Sequence, residues 1–553
     1  LHRRRHSFPT RRSSDLVIIK QMENKFEMAS IEKAVEAVFF QRESQRHMLS
    51  LTKQLCIDDY PTLFDTASSM QRKATVILGP TNSGKTYRAL QHLKAAPTGV
   101  YLGPLRLLAL EVQERLCEEK VPCSLLTGEE QVLIPGAGHL ASTIEMMNPD
   151  IPFECAVIDE VQMIVDKDRG WAWTQAIVGC PAKHLVIVGS PDAWPVLRPL
   201  LQRLNIEVEV IRTERLQPLT VEKYATRVEE VEPGDAYIVF SRKDIFFYQE
   251  LLGKQGISTA IIYGALGPEV RKAEAARFRN GEAKVLIATD AVGMGLNLPI
   301  RRVVFTTHEK FNGEDVAEID PSLVKQIAGR AGRFGQFEEG LVTALDTEIL
   351  GYVKECLSAS TKLPVQKTPV APTVEQLYLL GKELQFSQPS KALIAWRTKL
   401  LLDDHQFYAA PLFERVMLCE ELEDQYSSLV FKDVAKFSMI PLPRGNDIKM
   451  IFMTWVGLYS RGEVIHWNMD QSSDKFIAEL TIESAELQYQ VASIYCWLGR
   501  AFSKQFPDEA LAQDARKKVA THLIQLLQLR ARTLIHQGKK KPKTPIKNFV
   551  KQY

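Results

Sequence analysis

A single octapeptide narrows the folds open to this 553-residue chain more than any other feature. Gly79-Pro80-Thr81-Asn82-Ser83-Gly84-Lys85-Thr86 follows the run Thr75-Val76-Ile77-Leu78, and Thr86-Tyr87-Arg88-Ala89-Leu90 begins a helix behind it. The run is β-branched and apolar, so it reads as a buried strand. Glycines let the next turn tighten and aim backbone N–H groups at oxyanions, and a helix N-terminus favours the same charge. In the pattern G-x-x-x-x-G-K-[ST], the lysine reaches the β- and γ-phosphates and the hydroxyl holds Mg²⁺. Gly84, Lys85 and Thr86 therefore predict a site for ATP and Mg²⁺ on a parallel α/β sheet.

Ala156-Val157-Ile158 is a near-continuous apolar run ending in Asp159-Glu160-Val161-Gln162. A strand buried on both faces has this composition, and its C-terminal end is where open α/β sheets bind ligands. Asp159 is expected to hold Mg²⁺ through water, and Glu160 to orient or deprotonate an attacking water.

Gln326, Arg330 and Arg333 are spaced i, i+4, i+7, which predicts one helical face. Two arginines beside Gly329 and Gly332 suit the stabilisation of transition-state charge in phosphoryl transfer. Arg333 is read as the finger and Arg330 as its γ-phosphate companion, with Gln326 and Gly293 as further nucleotide contacts. The preceding stretch predicts a second α/β unit. Ala236–Phe240, Ile261–Gly264, Val285–Asp290 and Val303–Thr306 read as strands alternating with helical stretches, which means a parallel sheet. No second phosphate loop occurs here, so one ATP site between two similar domains is expected.

Small and polar groups at strand ends could follow a sugar-phosphate backbone without reading its sequence. Pro104 and Arg106, Thr127 and Gly128, Ser241 and Arg242, and Thr289 form this candidate nucleic-acid track.

The carrying motifs occur in order: Gly79 to Tyr87, Pro104 to Ala109, Thr127 to Glu130, Ser142 to Met146, Asp159 to Met163, Tyr263 to Leu266, and Gln326 to Phe334. Together they resemble superfamily-two DExH-type helicases, and more narrowly the mitochondrial degradosome RNA helicase family and its bacterial relatives. The likeness covers about residues 74 to 340, with Ala371 to Leu377 similar to the start of that family's helical region. It implies two tandem RecA-like parallel-sheet domains followed by a mainly helical C-terminal domain, with Gln162 marking a D-E-x-Q variant of the acidic box. It also implies ATP- and Mg²⁺-dependent unwinding with 3′-to-5′ movement in RNA turnover. The implied partners are single-stranded and duplex RNA, DNA for some members, and a 3′ exoribonuclease. Two departures stand out: Val188-Gly189-Ser190-Pro191-Asp192 replaces the usual third motif, and the chain is shorter than typical mitochondrial members.

The domains are read as 17–72 helical, 73–215 and 216–360 RecA-like, 361–538 helical, and 539–553 a basic tail. Leu1 to Leu16 reads as a non-native, adapter-like segment. The expected compartment is accordingly the bacterial cytoplasm, or the mitochondrial matrix if residues 1–16 are a genuine presequence. Ile31, Ala34, Val35, Val38 and Phe39 share an apolar helical face. Helices are expected at 373–384, 389–402, 411–426, 448–459, 474–503 and 507–534, with His405, His466 and His536 isolated among them.

A net charge of +2 argues against a wholesale polyanion wrapper but leaves room for a local basic channel. The eight cysteines show no metal spacing and read as reduced thiols. No apolar run reaches the roughly 18 residues of a membrane span. Two rivals remain: a DNA helicase or translocase, and an ATP-switched RNA-binding scaffold for a nuclease. A small-molecule kinase would leave the second sheet and the arginines without a role.

Overall fold

The computed structural model describes Ser50 and residues 59–540, other than 294–297, 312–314, 334, 360–366, 399–405 and 444. Residues 1–16, the apolar face from Ile31 to Phe39, Phe334, His405 and the tail beyond residue 540 lie outside the described residues.

The first sheet contains β1 (Lys73–Leu78), β2 (Gly99–Gly103), β3 (Cys123–Leu126), β4 (Gln131–Val132), β5 (His139–Thr143), β6 (Phe153–Ile158), β7 (Ala182–Gly189) and β8 (Glu207–Arg212). Their order is β4-β3-β5-β2-β6-β7-β1-β8. Every neighbouring pair is parallel except β3 and β4. β2 is buried along its whole length and β1 from Ala74 onward, as expected of strands covered on both faces. At the edge, β8 exposes Glu207 and Glu209, charges that discourage further pairing.

The chain then crosses to the second sheet. This contains β9 (Leu219–Val221), β10 (Asp235–Ile238), β11 (Thr259–Ile262), β12 (Val285–Ala288) and β13 (Arg302–Phe305), followed by a hairpin of β14 (Glu309–Phe311) and β15 (Val316–Glu318), and then β16 (Gly340–Ala344). The order is β11-β12-β10-β13-β16-β9, parallel throughout. The protein is thus two RecA-like parallel-sheet domains with a mainly helical C-terminal region. Each strand of the second sheet anticipated from composition is present, beginning up to two residues earlier than expected and ending one or two residues sooner.

Helices 374–383, 389–398, 413–425, 446–460 and 509–540 match five of the C-terminal expectations to within a few residues at most ends. The expected helix 474–503 is two helices, Asp474–Ala478 and Ile482–Ala501. Thr481 separates them. Its hydroxyl accepts the Ser484 N–H at 3.3 Å while Ser484 Oγ accepts the Thr481 N–H at 2.8 Å, and this reciprocal cap starts a new helix. Helix Phe431–Phe437 and the parallel pair β17 (Thr368–Val370) and β18 (Phe407–Ala409) were not anticipated. The seven described cysteines are free thiols, Cys180 and Cys496 among the buried ones. No helix among the described residues is long and apolar enough to cross a membrane.

The C-terminal region packs on both domains. Val370, Leu380, Trp396 and Phe407 join the first domain's core around Trp173. Ala485, Tyr489, Val519 and Leu523 pack on Tyr237, Ile261 and Tyr263 of the second. Trp396 is fully buried in that shared core, and cavities left by Trp→Ala typically cost about 3–5 kcal/mol. Trp396→Ala is therefore expected to lower the denaturant midpoint of the first domain as well as that of the helical region, measured by equilibrium unfolding.

Candidate ATP site and nucleic-acid face

Because β6, β7 and β1 are neighbours at the centre of the first sheet, the loops at their C-terminal ends converge. The Gly79 N–H donates to the Gly189 carbonyl at 3.1 Å, tying the phosphate loop to the end of β7. A Cβ at position 79 would lie 2.0 Å from Thr213 Oγ1, so only glycine fits against the strand that leaves β8. Thr213 in turn donates to Ser83 Oγ at 2.9 Å. Asn82 and Gly84 take left-handed φ values of 64° and 74°, curling the loop before helix Lys85–Ala95.

Lys85 Nζ donates to the Pro80 carbonyl at 3.0 Å. Burial lowers the pKa of this amine, Glu160 and Asp159 oppose that fall, and Arg330 adds to it. The buried Asp159 carboxylate accepts from Thr86 Oγ1 at 3.3 Å and from Tyr101 OH at 3.1 Å on one oxygen, and from the Glu160 N–H at 2.8 Å on the other. Burial first, and then the neighbouring Glu160, push its carboxyl up to about 6. Glu160 itself has φ 51°, a left-handed conformation for a residue with a side chain. Such backbone strain persists where the surroundings over-determine it. Gln162 supplies part of that constraint: its Nε2 donates to Glu160 Oε2, and its Oε1 accepts the Ser190 N–H at 3.0 Å. The unusual segment Val188 to Asp192 thus stays joined to the acidic box.

The second domain contributes its arginines differently from the helical reading. Helix Pro321–Ala328 ends before them, with Gly329 as its cap, and Arg330 and Arg333 stand in the turn beyond. Gly332 shapes that turn: its φ is 69°, and a Cβ there would lie 2.4 Å from the Gly340 nitrogen. Gln326 remains on the helix, beside Gly293. The Gly293 carbonyl accepts from Arg330 Nε at 3.1 Å. Burial lowers the pKa of Arg330 while Glu160, Glu111 and Asp159 oppose it, so Arg330 shares the field of both acids. The charged neighbours of Arg333 are instead Arg279 and Glu111. Sequence reasoning missed Tyr101 on Asp159, and it missed Arg215, whose carbonyl contacts bridge the two domains. Neither belongs to a recognisable local pattern.

Thr86 Oγ1 and Asp159 Oδ2 form an oxygen pair suited to a divalent ion carried by phosphates. Among the described residues no group of three or more His, Cys, Asp or Glu could hold a metal alone.

The candidate track residues are engaged by the protein. Arg106 donates to Glu129 at 2.7 Å, Glu130 at 2.7 Å, Glu269 at 2.9 Å and Tyr489 OH at 3.2 Å. Arg242 pairs with Glu483 at 3.0 Å and with Glu486 at 3.2 Å. The Pro104 and Thr127 carbonyls accept from Arg169 at 2.6 Å and Arg500 at 2.8 Å, and Gly128 faces Trp497. Ser241 caps helix Arg242–Lys254 by accepting the Asp244 N–H at 3.0 Å. Thr289 Oγ1 accepts the Ala291 N–H at 3.3 Å. A cavity of about 600 Å³ opens between the three parts of the chain, lined by Arg106, Gly264, Arg271, Tyr489, Ser493 and Trp497 among others.

A carboxyl whose pKa rises on folding binds protons more readily in the folded state, so its contribution to stability falls as pH rises through its folded value. Asp159→Asn removes that penalty. The substitution is expected to raise the melting temperature above pH 6, with the gain vanishing near pH 4, where wild-type Asp159 is already protonated. A scan of melting temperature against pH checks this; a lower melting temperature at pH 8 would contradict it.

Residues 61–213 match the family described as the DEXQ-box helicase domain of Suv3, residues 219–335 the helicase conserved C-terminal domain, and residues 482–528 the ATP-dependent RNA helicase SUV3 C-terminal domain. The Gallus gallus mitochondrial ATP-dependent RNA helicase SUPV3L1 is 36% identical over 86% of this chain and 63% of its own length. The Homo sapiens protein of that name is 36% identical over 83% of this chain and 60% of its own. The chain thus spans less than two thirds of either relative. The Arabidopsis thaliana mitochondrial DExH-box ATP-dependent RNA helicase DExH16 is 34% identical over 84% of this chain and 82% of its own length. These relatives are eukaryotic and named as mitochondrial, which overturns the reading of a bacterial cytoplasmic protein. With identity sustained through both sheets and the helical region, the chain belongs to the Suv3 family of DExH/DEXQ-box helicases.

Proposed function

We propose that this chain is an ATP-dependent RNA helicase, coupling ATP hydrolysis to movement along RNA and to its unwinding. The observation that carries the reading is that Arg330 of the second domain shares one electrostatic field with Lys85, Asp159 and Glu160 of the first. A triphosphate on the Gly79–Thr86 loop would bring its γ-phosphate among these groups. Lys85 and Arg330 then offset the charge spread over the transferring oxygens, and Arg333 joins them as the domains close. Glu160, held by Gln162, orients the attacking water and takes its proton while the bond to the ADP oxygen breaks. Mg²⁺ arriving with ATP would be held by Thr86 and Asp159, and would supply neutralisation of the β- and γ-phosphate charge.

RNA as the substrate is supported by the names of the relatives. Movement from 3′ to 5′ and delivery of RNA to a 3′ exoribonuclease belong to the same proposal. The strand would run past the cavity that Arg106 lines, with Arg242, Thr127 and Thr289 as the further candidate contacts. A strand entering there exchanges its phosphates for the carboxylates that now hold the arginines.

Steady-state ATP turnover measured alone, with single-stranded RNA, and with DNA of the same sequence tests the reading. Stimulation by RNA, together with displacement of a 3′-tailed RNA duplex, is expected. Turnover indifferent to either nucleic acid would replace the motor with an ATP-switched scaffold, and equal stimulation by DNA would make it a general translocase. Glu160→Gln should bind ATP yet turn over about 10²-fold or more slowly, the usual loss for a missing general base. Lys85→Ala should weaken ATP binding itself, read by titration with a fluorescent nucleotide.

A further inference from the structure

The crossing between the domains, from Thr213 to Pro218, carries one half-buried cation that the ATP chemistry above does not use. Arg215 Nη1 donates to the carbonyl of Thr81 in the phosphate loop at 3.1 Å and to the carbonyl of Gly329 at 2.8 Å. Its Nη2 donates to the carbonyl of Ala331, and its Nε to that of Gln217 at 2.7 Å. One planar guanidinium therefore joins the apex of the phosphate loop to both residues that flank Arg330. Asn82 reinforces the junction by donating to the Gly332 carbonyl at 2.5 Å.

The chemistry of these contacts sets Arg215, like the buried Arg72, apart from the carboxylate-bound arginines. Arg106 and Arg302 are held by carboxylates. Arg215 pairs with no carboxylate among the described residues, and burial lowers its pKa without an opposing anion. A half-buried charge satisfied only by carbonyls on separate segments contributes geometry rather than charge pairing. Its rigid fork fits several acceptors at once, which a lysine ammonium on a flexible stem does not reproduce.

We propose that Arg215 is a positioning residue for ATP hydrolysis: acting through Thr81, Gly329 and Ala331, it sets the distance between the phosphate loop and the turn that carries Arg330 and Arg333. Its place in the crossing makes the role conformational as well. Any rotation of the second domain away from the first must break either the Thr81 bond or the Gly329 and Ala331 bonds, so the arginines are in register with the phosphates only while Arg215 spans both. Phosphoryl transfer depends almost entirely on such placement, and a misplacement of about 1 Å can cost about 10²-fold in rate.

The inference rests on the proposed ATP hydrolysis, and the test keeps the two apart. Wild-type protein, Arg215→Ala, Arg215→Lys, Arg333→Ala and the double variant Arg215→Ala/Arg333→Ala are compared by ATP titration, single-turnover hydrolysis and melting temperature. Arg215→Ala is expected to bind ATP within about threefold of wild type yet to hydrolyse it about 10²-fold more slowly. Arg215→Lys should recover less than a tenth of the lost rate. The double variant should be no more than about threefold slower than Arg333→Ala, because residues that act as a unit are non-additive. Wild-type turnover with Arg215→Lys at full rate, or with losses that multiply in the double variant, overturns the positioning role while leaving the ATPase reading intact. Absence of wild-type turnover with and without RNA overturns the ATPase reading itself.

Discussion

Close approach at one point, the Gly329 backbone of the second domain against the Thr81 side chain in the phosphate loop, governs the rest of the site. A Cβ at position 329 would lie 2.7 Å from the Thr81 Cβ, so the approach exists only because the residue there is glycine. Once they touch, Arg330 is carried into the field of Asp159 and Glu160, and the cluster gathers two cations and two anions around the buried Asp159. Isolated burial of any of these charges would be severe, whereas a balanced set in a low-dielectric pocket is tolerable and interacts strongly. The strain at Glu160 and the upward push on Asp159 are signs that the arrangement is held in place by its surroundings rather than preferred by each residue alone.

The parts of this site that were legible from sequence are those encoded within a few consecutive residues. The strand before Gly79, the loop to Thr86 and the apolar run into Asp159 each carry their signal in composition and local spacing. The second sheet was legible for the same reason, since its strands are short, β-branched and buried. The arginine segment shows where that logic stops. Gln326, Arg330 and Arg333 have helical spacing, yet Gly332 must take φ 69° to pass Gly340, a neighbour set by the pairing of β16 in the sheet. The pair β17 and β18 escaped notice because three-residue strands have no measurable period and one of them contains Pro369. The break at Thr481 did have a local signal, but Ser484 stands where the familiar cap has Glu or Gln.

Arg106 and Arg242 were legible as residue types at the right strand ends, but their partners were not. Glu483, Glu486 and Tyr489 come from a helix that lies more than two hundred residues later, and no spacing rule connects them. The carboxylates neutralise these arginines, so their positive charge is held in ion pairs rather than displayed. The partly buried pairs of Arg106 add little net stability when intact but are costly to leave half-broken, so they specify an arrangement more than they strengthen it.

That specification reaches the ATP site through one rigid element. Helix Arg106–Glu118 begins with Arg106, which is bonded to Glu269 of the second domain and to Tyr489 of the C-terminal helix. Five residues on, at a rise of about 1.5 Å per residue, the same helix carries Glu111. Burial raises its carboxyl to about 7, against the pull of Arg279 and Arg330. A movement of the second domain that lengthens the Arg106–Glu269 contact therefore also shifts the arginine turn relative to Glu111, because a helix of this length transmits displacement without bending. Through Tyr489 the C-terminal region therefore bears on Arg106, the first residue of the helix that also carries Glu111 beside Arg330.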